Sequence, residues 1–449
     1  MKNCLLLAAA IAAPAAAQTV AAQTNAAPNA SFDVAAAKQR INAELDKDYP
    51  HLDALYKDIH QHPEVGFQEV RTAALLAGEM RKIGFQVTEH VGKTGIVAIY
   101  RNGPGPTVMI RTELDALPLE EKTGLPYASH AQQTVDGKLS YVDHACGHDS
   151  HMAWWVGTAE ALLATKDLWH GTLMFIGQPA EETIGGAKAM IADGLFTRFP
   201  KPDYGFAAHV GPTAYGTVAI KDGAVTSASD TVDITFNGRG AHGSMPDKSI
   251  DPIVMGARFV TDVQAVISRR KDPQQFGVVT VGAFNAGTVD NIIPDQAVLQ
   301  LTLRSYAPDI RKLLLDGVSE TAKASAMMSD APPPTIVWKA GTASVRNDSQ
   351  LVARVAPVLA AAMGDAAQVI PATMPGWTAS EDYSAFIDAG IPSVFYAVGG
   401  DDPRMLADDK AQGKPVPVNH SPFFAPVPEP TIRTGVMTLA LSVLTVAGK

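Results

Sequence analysis

The sequence predicts a layered α/β protein with a central mixed sheet, interrupted by a smaller inserted α+β domain. Helical and strand-like patterns alternate along most of the 449 residues, as a layered α/β domain requires. From about residue 228 the pattern changes to strict strand alternation, and the first kind of alternation resumes after Gly341. With 46% hydrophobic and 18% charged residues, the chain has enough apolar material for a full core.

The main domain begins with two helices, because apolar residues recur with helical spacing over 34–61 and 68–83. A further helix is predicted at about 151–165. Short apolar runs bounded by turn residues predict strands between and after these helices. The predicted strands are Gln86–Val91, Gly95–Tyr100, Thr107–Arg111, Thr172–Gly177 and Tyr204–His209.

The inserted segment has an element order of its own. Val232, Ile234 and Phe236 alternate with polar residues, which predicts a half-buried strand. A helix, two strands, a helix and a last strand after a proline run follow, at 251–269, 276–284, 296–304, 308–325 and beyond 334. This β-α-β-β-α-β order is the ferredoxin-like split pattern.

The chain is therefore divided into five segments. The first 17 residues have one lysine, a short apolar run and Ala-x-Ala before Gln18, which predicts a cleavable signal and a secreted or periplasmic protein. The apolar stretch from Val436 to Ala447 is too short to span a bilayer, so we expect a core helix and no membrane anchor. The segments are 1–17 (signal peptide), 18–33 (flexible lead-in), 34–225 (N-terminal portion of the main, catalytic domain), 226–337 (inserted domain) and 338–449 (C-terminal portion of the main domain).

Charge and cysteine content narrow the function. Lys+Arg total 36 against 46 Asp+Glu, a net charge of -10, which argues against nucleic acid or an anionic membrane as partner. Removal of the signal would leave Cys146 as the single cysteine, so no intrachain disulfide can form. A lone thiol in an oxidising compartment is exposed to oxidation unless it is buried or bound.

Residues 143–151 (DHACGHDSH) contain three histidines, two acids and that cysteine. A packed core would need a partner for each imidazole. Cys146 and His148, separated by a flexible glycine, can instead bind one divalent ion. We interpret the segment as metal-binding; the alternative is a structural cluster.

Two adjacent carboxylates, Glu181 and Glu182, directly follow a predicted buried strand. Without a cation their repulsion resists ionisation of both. One can bind a metal while the other activates a water molecule, and the alternative is a solvated helix start. His209 and His420 stand at strand or loop ends, where either alone is more simply structural. With Cys146, His148 and Glu182 they make five ligands of types that suit two zinc-like ions. A thiolate favours zinc, and manganese, cobalt or nickel also fit a mixed donor set.

The sequence resembles dinuclear metallohydrolases of the aminoacylase–carboxypeptidase type, and within them the branch of hippurate hydrolases and indole-acetyl-amino-acid hydrolases, which cleave N-acyl amino acids. The motifs that carry the resemblance are HQHPEVGFQE, RTELDALP, HACGHDSHMA, GQPAEET, AAHV, GRGAHGSMP, NIIPD, ASEDYSAF and VNHSP. The resemblance implies a catalytic domain with an inserted lid or dimerisation domain, and Glu181 as general acid/base. The implied metal ligands are Cys146, His148, Glu182, His209 and His420.

Three residues of the inserted domain match positions that meet the substrate in this family. His242 resembles a histidine that many relatives supply from the partner subunit, which implies a homodimer. Asn291 and Arg304 match positions that hold a substrate carboxylate, and a guanidinium suits that task. The alternatives are a turn role for Asn291 and a surface ion pair for Arg304. One departure is Glu113, where this branch commonly has aspartate; we leave it and Asp115 outside the ligand set.

The sequence thus predicts hydrolysis of an amide bond by a metal-activated water, in a small N-acyl amino acid or short peptide with a free carboxylate. Two alternatives remain at this point. The same chemistry could act on a non-peptide amide or carbamate. A periplasmic binding protein could keep the fold without the chemistry, although it would need neither Glu181 nor a complete ligand set.

Overall fold

A computed structural model describes residues 32–339 and 341–449. The predicted signal peptide and most of the lead-in lie outside these residues, so export stays a prediction. Asp33, at the end of the predicted lead-in, accepts hydrogen bonds from the backbone N–H groups of Ala35 and Ala36 and caps the first helix.

Helices and strands alternate along the described chain. The helices are α1 Val34–Gln61, α2 Val70–Lys82, α3 His148–Ala164, α4 Gly186–Ala192, α5 Leu195–Arg198, α6 Pro252–Asp262, α7 Pro308–Met327, α8 Ser349–Met363, α9 Ser384–Asp388, α10 Pro403–Gln412 and α11 Pro428–Ala447. The strands are β1 Gln86–Val91, β2 Gly95–Asn102, β3 Thr107–Glu113, β4 Gln132–Val135, β5 Lys138–Tyr141, β6 Gly171–Gln178, β7 Tyr204–Ala214, β8 Val218–Lys221, β9 Gly223–Ala224, β10 Ala228–Asn237, β11 Ala241–His242, β12 Gly277–Ala286, β13 Ile292–Ile293, β14 Gln296–Ser305, β15 Thr335–Trp338, β16 Arg346–Asn347, β17 Ala367–Ile370 and β18 Ser393–Asp401.

The main sheet has eight strands in the order β1-β2-β6-β3-β7-β18-β8-β17. It is mixed, because β3, β6, β7 and β18 run parallel while β1, β2 and β8 pair antiparallel with their neighbours. The core on one face includes residues of α1, α3, α8 and α11, and a smaller core on the other includes residues of α4 and α9. The predicted layered fold with a central mixed sheet is confirmed.

The inserted segment forms a second sheet with its own core. Its strand order is β12-β14-β10-β15, with all pairs antiparallel and with α6 and α7 packed against it. In segment order this is 2-3-1-4, the ferredoxin-like arrangement that the β-α-β-β-α-β pattern predicts.

The C-terminal helix is longer than the apolar stretch that we took as its core. Helix α11 has 20 residues and is long and apolar enough to cross a membrane by those two criteria alone. However, 78% of its most apolar window is buried inside the protein, against α1 and α3 among others. The predicted stretch is thus only part of a longer apolar helix, and burial rather than length is what makes α11 the expected core helix.

Candidate metal centre

A cavity of about 850 Å³ opens beside the ends of β6 and β7. The segments that reach it are the loop before α3, the turn after β6, strand β7 and the loop before α11. The cavity is lined by Cys146, Glu181, Glu182, His209 and His420, and the fully buried His148 lies next to Glu182. The structure thus brings together all five predicted ligands and the predicted acid/base.

The donor atoms form two groups that share Glu182. Cys146, Glu182 and His420 have donor atoms within 4.8 Å of one another, and so do His148, Glu181 and Glu182. The Sγ atom of Cys146 lies 3.4 Å from Nε2 of His209, and Nε2 of His420 lies 3.3 Å from Oε2 of Glu182. One thiol, three imidazoles and a shared carboxylate are a donor set that suits divalent zinc-like ions.

Two donor atoms also lack any hydrogen bond within the described chain. They are Nε2 of His148 and Oε1 of Glu182, both buried and 4.0 Å apart. A buried polar atom without a partner is costly. A cation would satisfy both atoms at once, so the residues present fit a bound metal.

Backbone carbonyls set the orientation of two of the histidines. The Nδ1–H group of His148 donates to the carbonyl oxygen of Asp115 at 2.7 Å, and that of His209 donates to the carbonyl oxygen of Val210 at 2.8 Å. Because a carbonyl only accepts, each ring keeps its proton on Nδ1 and presents Nε2 as a free lone pair. Such outer partners are what fixes the tautomer of a metal-binding histidine.

Two tight turns place the ligands. Gly147 has φ of 88°, and a Cβ atom there would lie 2.3 Å from the side chain of Val210, so only glycine fits between Cys146 and His148. In the turn after β6, Ala180 has φ of 49°. Its N–H donates to Glu69 at 2.7 Å, which holds this unusual backbone in place.

The backbone N–H of Glu182 donates to Oδ2 of Asp115 at 2.9 Å. Asp115 therefore contacts both His148 and Glu182 without being counted among the ligands. Hydrogen bonds of this kind orient the residues that bind a metal.

Asn419 holds the loop that carries His420 in place through hydrogen bonds, and the sequence reasoning did not predict this role. Its side-chain amide donates to the carbonyl oxygens of Cys146 at 3.0 Å and Val210 at 3.1 Å. The neighbouring His420 has φ of 69° and donates its N–H to Ala145. The signal was available, because Asn419 directly precedes His420 in the VNHSP motif.

Behind Glu181 lies a buried ion-pair network around Arg111. The guanidinium of Arg111 has no exposed surface and contacts Glu113, Glu381 at 2.7 Å and Asp382 at 3.3 Å. Glu113 also accepts from Nδ1 of His151 at 2.9 Å. Glu113, the departure from the family pattern, therefore bridges Arg111 and His151. Glu113 also belongs to a further group of possible metal donors, with His148, His151 and His209.

Arg111, His151, Glu381 and Asp382 were missed as functional residues, although they stand in the motifs RTELDALP, HACGHDSHMA and ASEDYSAF. Glu181 lies beside Glu381 and Asp382, and only 5% of its surface is exposed. Burial, followed by these neighbouring carboxylates, raises the pKa of Glu181 well above its usual value, while Arg111 opposes the shift. Bound cations would lower that pKa.

The three predicted residues of the inserted domain separate into two sets. Arg304 lines the cavity and is partly buried, with its Nη1 donating to Thr302 and Leu303. His242 and Asn291 are exposed, lie together at the β11–β13 pair and do not line the cavity. Within one chain, therefore, the structure brings Arg304 to the metal centre but not the other two.

Comparison with known proteins agrees with this arrangement. The profile of the peptidase family M20/M25/M40 matches residues 109–412. The chain belongs to this family. Its relatives include a hippurate hydrolase of Campylobacter jejuni, 41% identical over 280 residues, which are 61% of this chain and 69% of the relative. An N-acetyl-L-cysteine deacetylase of Bacillus subtilis is 32% identical over 355 residues, 78% of this chain and 80% of the relative.

Among solved structures, the YxeP protein of Bacillus subtilis, described as a dinuclear metal-binding peptidase of the M20 family, superposes with a TM-score of 0.72. It is 26% identical, and the match covers 89% of this chain and 99% of that one. These matches confirm the predicted family resemblance, the predicted fold with a catalytic and a smaller inserted domain, and the predicted metal-dependent hydrolase.

Proposed function

We propose that this M20 enzyme hydrolyses the amide bond of N-acyl amino acids or short peptides that carry a free carboxylate. The observation that carries the proposal is the convergence of four metal-donor side chains and the buried Glu181 on one cavity, with the fifth donor, His148, beside Glu182. Relatives named as a hippurate hydrolase and an N-acetyl-L-cysteine deacetylase support the substrate class.

The ligands proposed for two divalent ions are Cys146, His148, Glu182, His209 and His420. Because the set includes a thiolate, zinc is the ion that we propose, with manganese, cobalt and nickel as alternatives. When bound, such ions polarise the scissile carbonyl and lower the pKa of a water molecule.

The chain itself supplies the proton transfer and the orientation of the substrate. Glu181 accepts the proton of the attacking water at its carboxylate and returns it to the nitrogen of the leaving amine. Arg304, which faces the same cavity, pairs with the substrate carboxylate.

We further propose that the protein is a homodimer. His242 and Asn291 are exposed and lie outside the cavity of their own chain, so a second subunit is the simplest way to bring them to a substrate. In that arrangement His242 donates a hydrogen bond to the oxyanion that forms at the scissile carbonyl.

The two adjacent glutamates provide the test, because substitution of each should fail in a different way. Glu181→Gln should keep its metal and fold but lose about 10²–10⁴-fold in turnover of N-acyl amino acids, as removal of a general base does. Glu182→Gln should lose metal, measured by elemental analysis of the purified protein.

The matched pair also shows how the assignment could fail. Near-normal turnover in Glu181→Gln would remove this residue from the mechanism. Equal metal loss in both variants would contradict the division of roles between them.

A further inference from the structure

One wall of the cavity is formed by the main sheet itself. The register of four neighbouring strands places His209 of β7, Ala397 of β18, Ala219 of β8 and Gln368 of β17 side by side. Residues paired across strands carry their side chains on the same face of a sheet. All four line the cavity. These residues are called the cross-strand row below.

The row forms a low floor, because its two middle positions carry only methyl groups. Ala397 and Ala219 are partly exposed, whereas the residues next to them, Val398 and Val218, face the opposite side and are fully buried in the core. The sheet is therefore tightly packed on its core face and open to the cavity on the other face. A larger side chain at either alanine would rise into the cavity.

The floor is long and its surroundings are mostly apolar. Four strands about 4.8 Å apart span about 14 Å from His209 to Gln368. Ile184, Phe395, Ile370 and Trp377 line the same cavity around this floor. A surface of this kind binds hydrocarbon by the hydrophobic effect and offers little to a small polar group.

We propose that the cross-strand row binds an apolar acyl group of about six to ten carbons, a length that fits a floor of about 14 Å, and that Ala397 and Ala219 determine which acyl lengths are accepted. The inference rests on the proposed function, because it places the scissile carbonyl at the metal centre where the row begins. Arg304 is then available for the substrate carboxylate, and the row is left for the acyl side of the amide.

The test is a series of substrates with one amino acid and acetyl, butanoyl, hexanoyl or octanoyl as the acyl group. Each methylene buried on the row should raise kcat/KM about fourfold, so kcat/KM should rise steeply with the length of the acyl chain. Ala219→Phe should lower the octanoyl-to-acetyl ratio of kcat/KM by about tenfold or more. Ala397→Val, a smaller intrusion, should lower the ratio less.

Val369→Phe is the matched control. Val369 stands between Gln368 and Ile370 on the same edge strand, but it is 56% exposed and does not line the cavity. Alternation along β17 directs its side chain to the other face. The same added ring should therefore leave the ratio unchanged.

The outcomes separate this inference from the function on which it rests. If the folded, metal-loaded enzyme cleaves no member of the series, the proposed function fails and this inference with it. If the enzyme cleaves the acetyl substrate with no gain for longer chains, the inference alone is overturned.

Equal effects of Ala219→Phe and Val369→Phe would also overturn the inference. So would a gain per methylene that appears only when the amino-acid side chain is lengthened at constant acetyl. Should Ala219→Phe fail to fold, Ala219→Val and Ala397→Val supply the same comparison, and an unchanged ratio in both would refute the assignment.

Discussion

The main domain and the inserted domain both contribute predicted site residues, but they hold them in very different ways. His148 is completely buried and bonded to a backbone carbonyl, and Glu182 is fixed through Asp115. His242 and Asn291 stand exposed at the pair of two-residue strands. The metal centre is thus organised within one chain, whereas these two residues have no site of their own in it. The proposed dimer can therefore be tested by asking whether His242 of one subunit serves the cavity of the other.

The contrast extends to charge. In the main domain Arg111 is fully buried and faces three carboxylates, Glu113, Glu381 and Asp382. In the inserted domain Arg304 is partly buried and has no carboxylate in an ion pair with it among the described residues. One arginine holds a buried network together, and the other is free to meet a ligand.

The largest expected effect is a loss of stability when one of these two arginines is replaced. Arg111→Met should lower the free energy of unfolding by about 3–5 kcal/mol, because it leaves three buried acids without their cation. Arg304→Met should change it by less than about 1 kcal/mol and should instead raise KM for carboxylate-bearing substrates. Urea denaturation and steady-state kinetics measure the two effects. Similar losses of stability in both variants would contradict the contrast.

Sequence reasoning picked out residues that the structure brings together as a candidate metal centre, because their signal is local. Cys146 and His148 are two residues apart, and Glu181 and Glu182 are adjacent, so the chemistry is readable from short segments. The alternating patterns also yielded both sheets, since hydrophobic periodicity is a local property as well.

The buried network could not be predicted in the same way. Arg111 and Glu381 are 270 positions apart, and only the fold places them in contact. The register that aligns Ala219 with Ala397 depends likewise on strand pairing across the sheet. An alanine in a sequence does not indicate a function. These two alanines become informative only when the structure shows the cavity that they line. The full length and the burial of α11 could not be predicted from its apolar stretch alone, because both depend on the packing of the helix in the fold.

An intermediate effect is expected on the alkylation rate of the Cys146 thiol. As a metal ligand, Cys146 should resist alkylation in the metal-loaded enzyme and react once a chelator has removed the ions. Its side chain is buried beside His209 in the main domain, so burial alone could also slow the reaction. Unfolded protein, labelled in parallel, gives the rate for a free thiol. Equal labelling of the folded protein with and without metal would make Cys146 an ordinary core residue.

The smallest expected signal tests the inserted domain. Glu181→Gln and His242→Ala are each expected to be nearly inactive, for different reasons: the first removes the base and the second removes a group that, in a dimer, serves the neighbouring site. When equal amounts are unfolded and refolded together, random pairing makes about half of the dimers mixed.

In each mixed dimer, the site with an intact Glu181 receives the intact His242 of the other variant, and the second site lacks both. About a quarter of the wild-type activity should therefore return. Since His242 is exposed, its substitution should change stability by no more than about 0.5 kcal/mol, so failed refolding does not explain a negative result. If His242 acted on the cavity of its own chain, mixing would repair no site and activity would stay at background. A monomer in light scattering would exclude the shared site before any mixing.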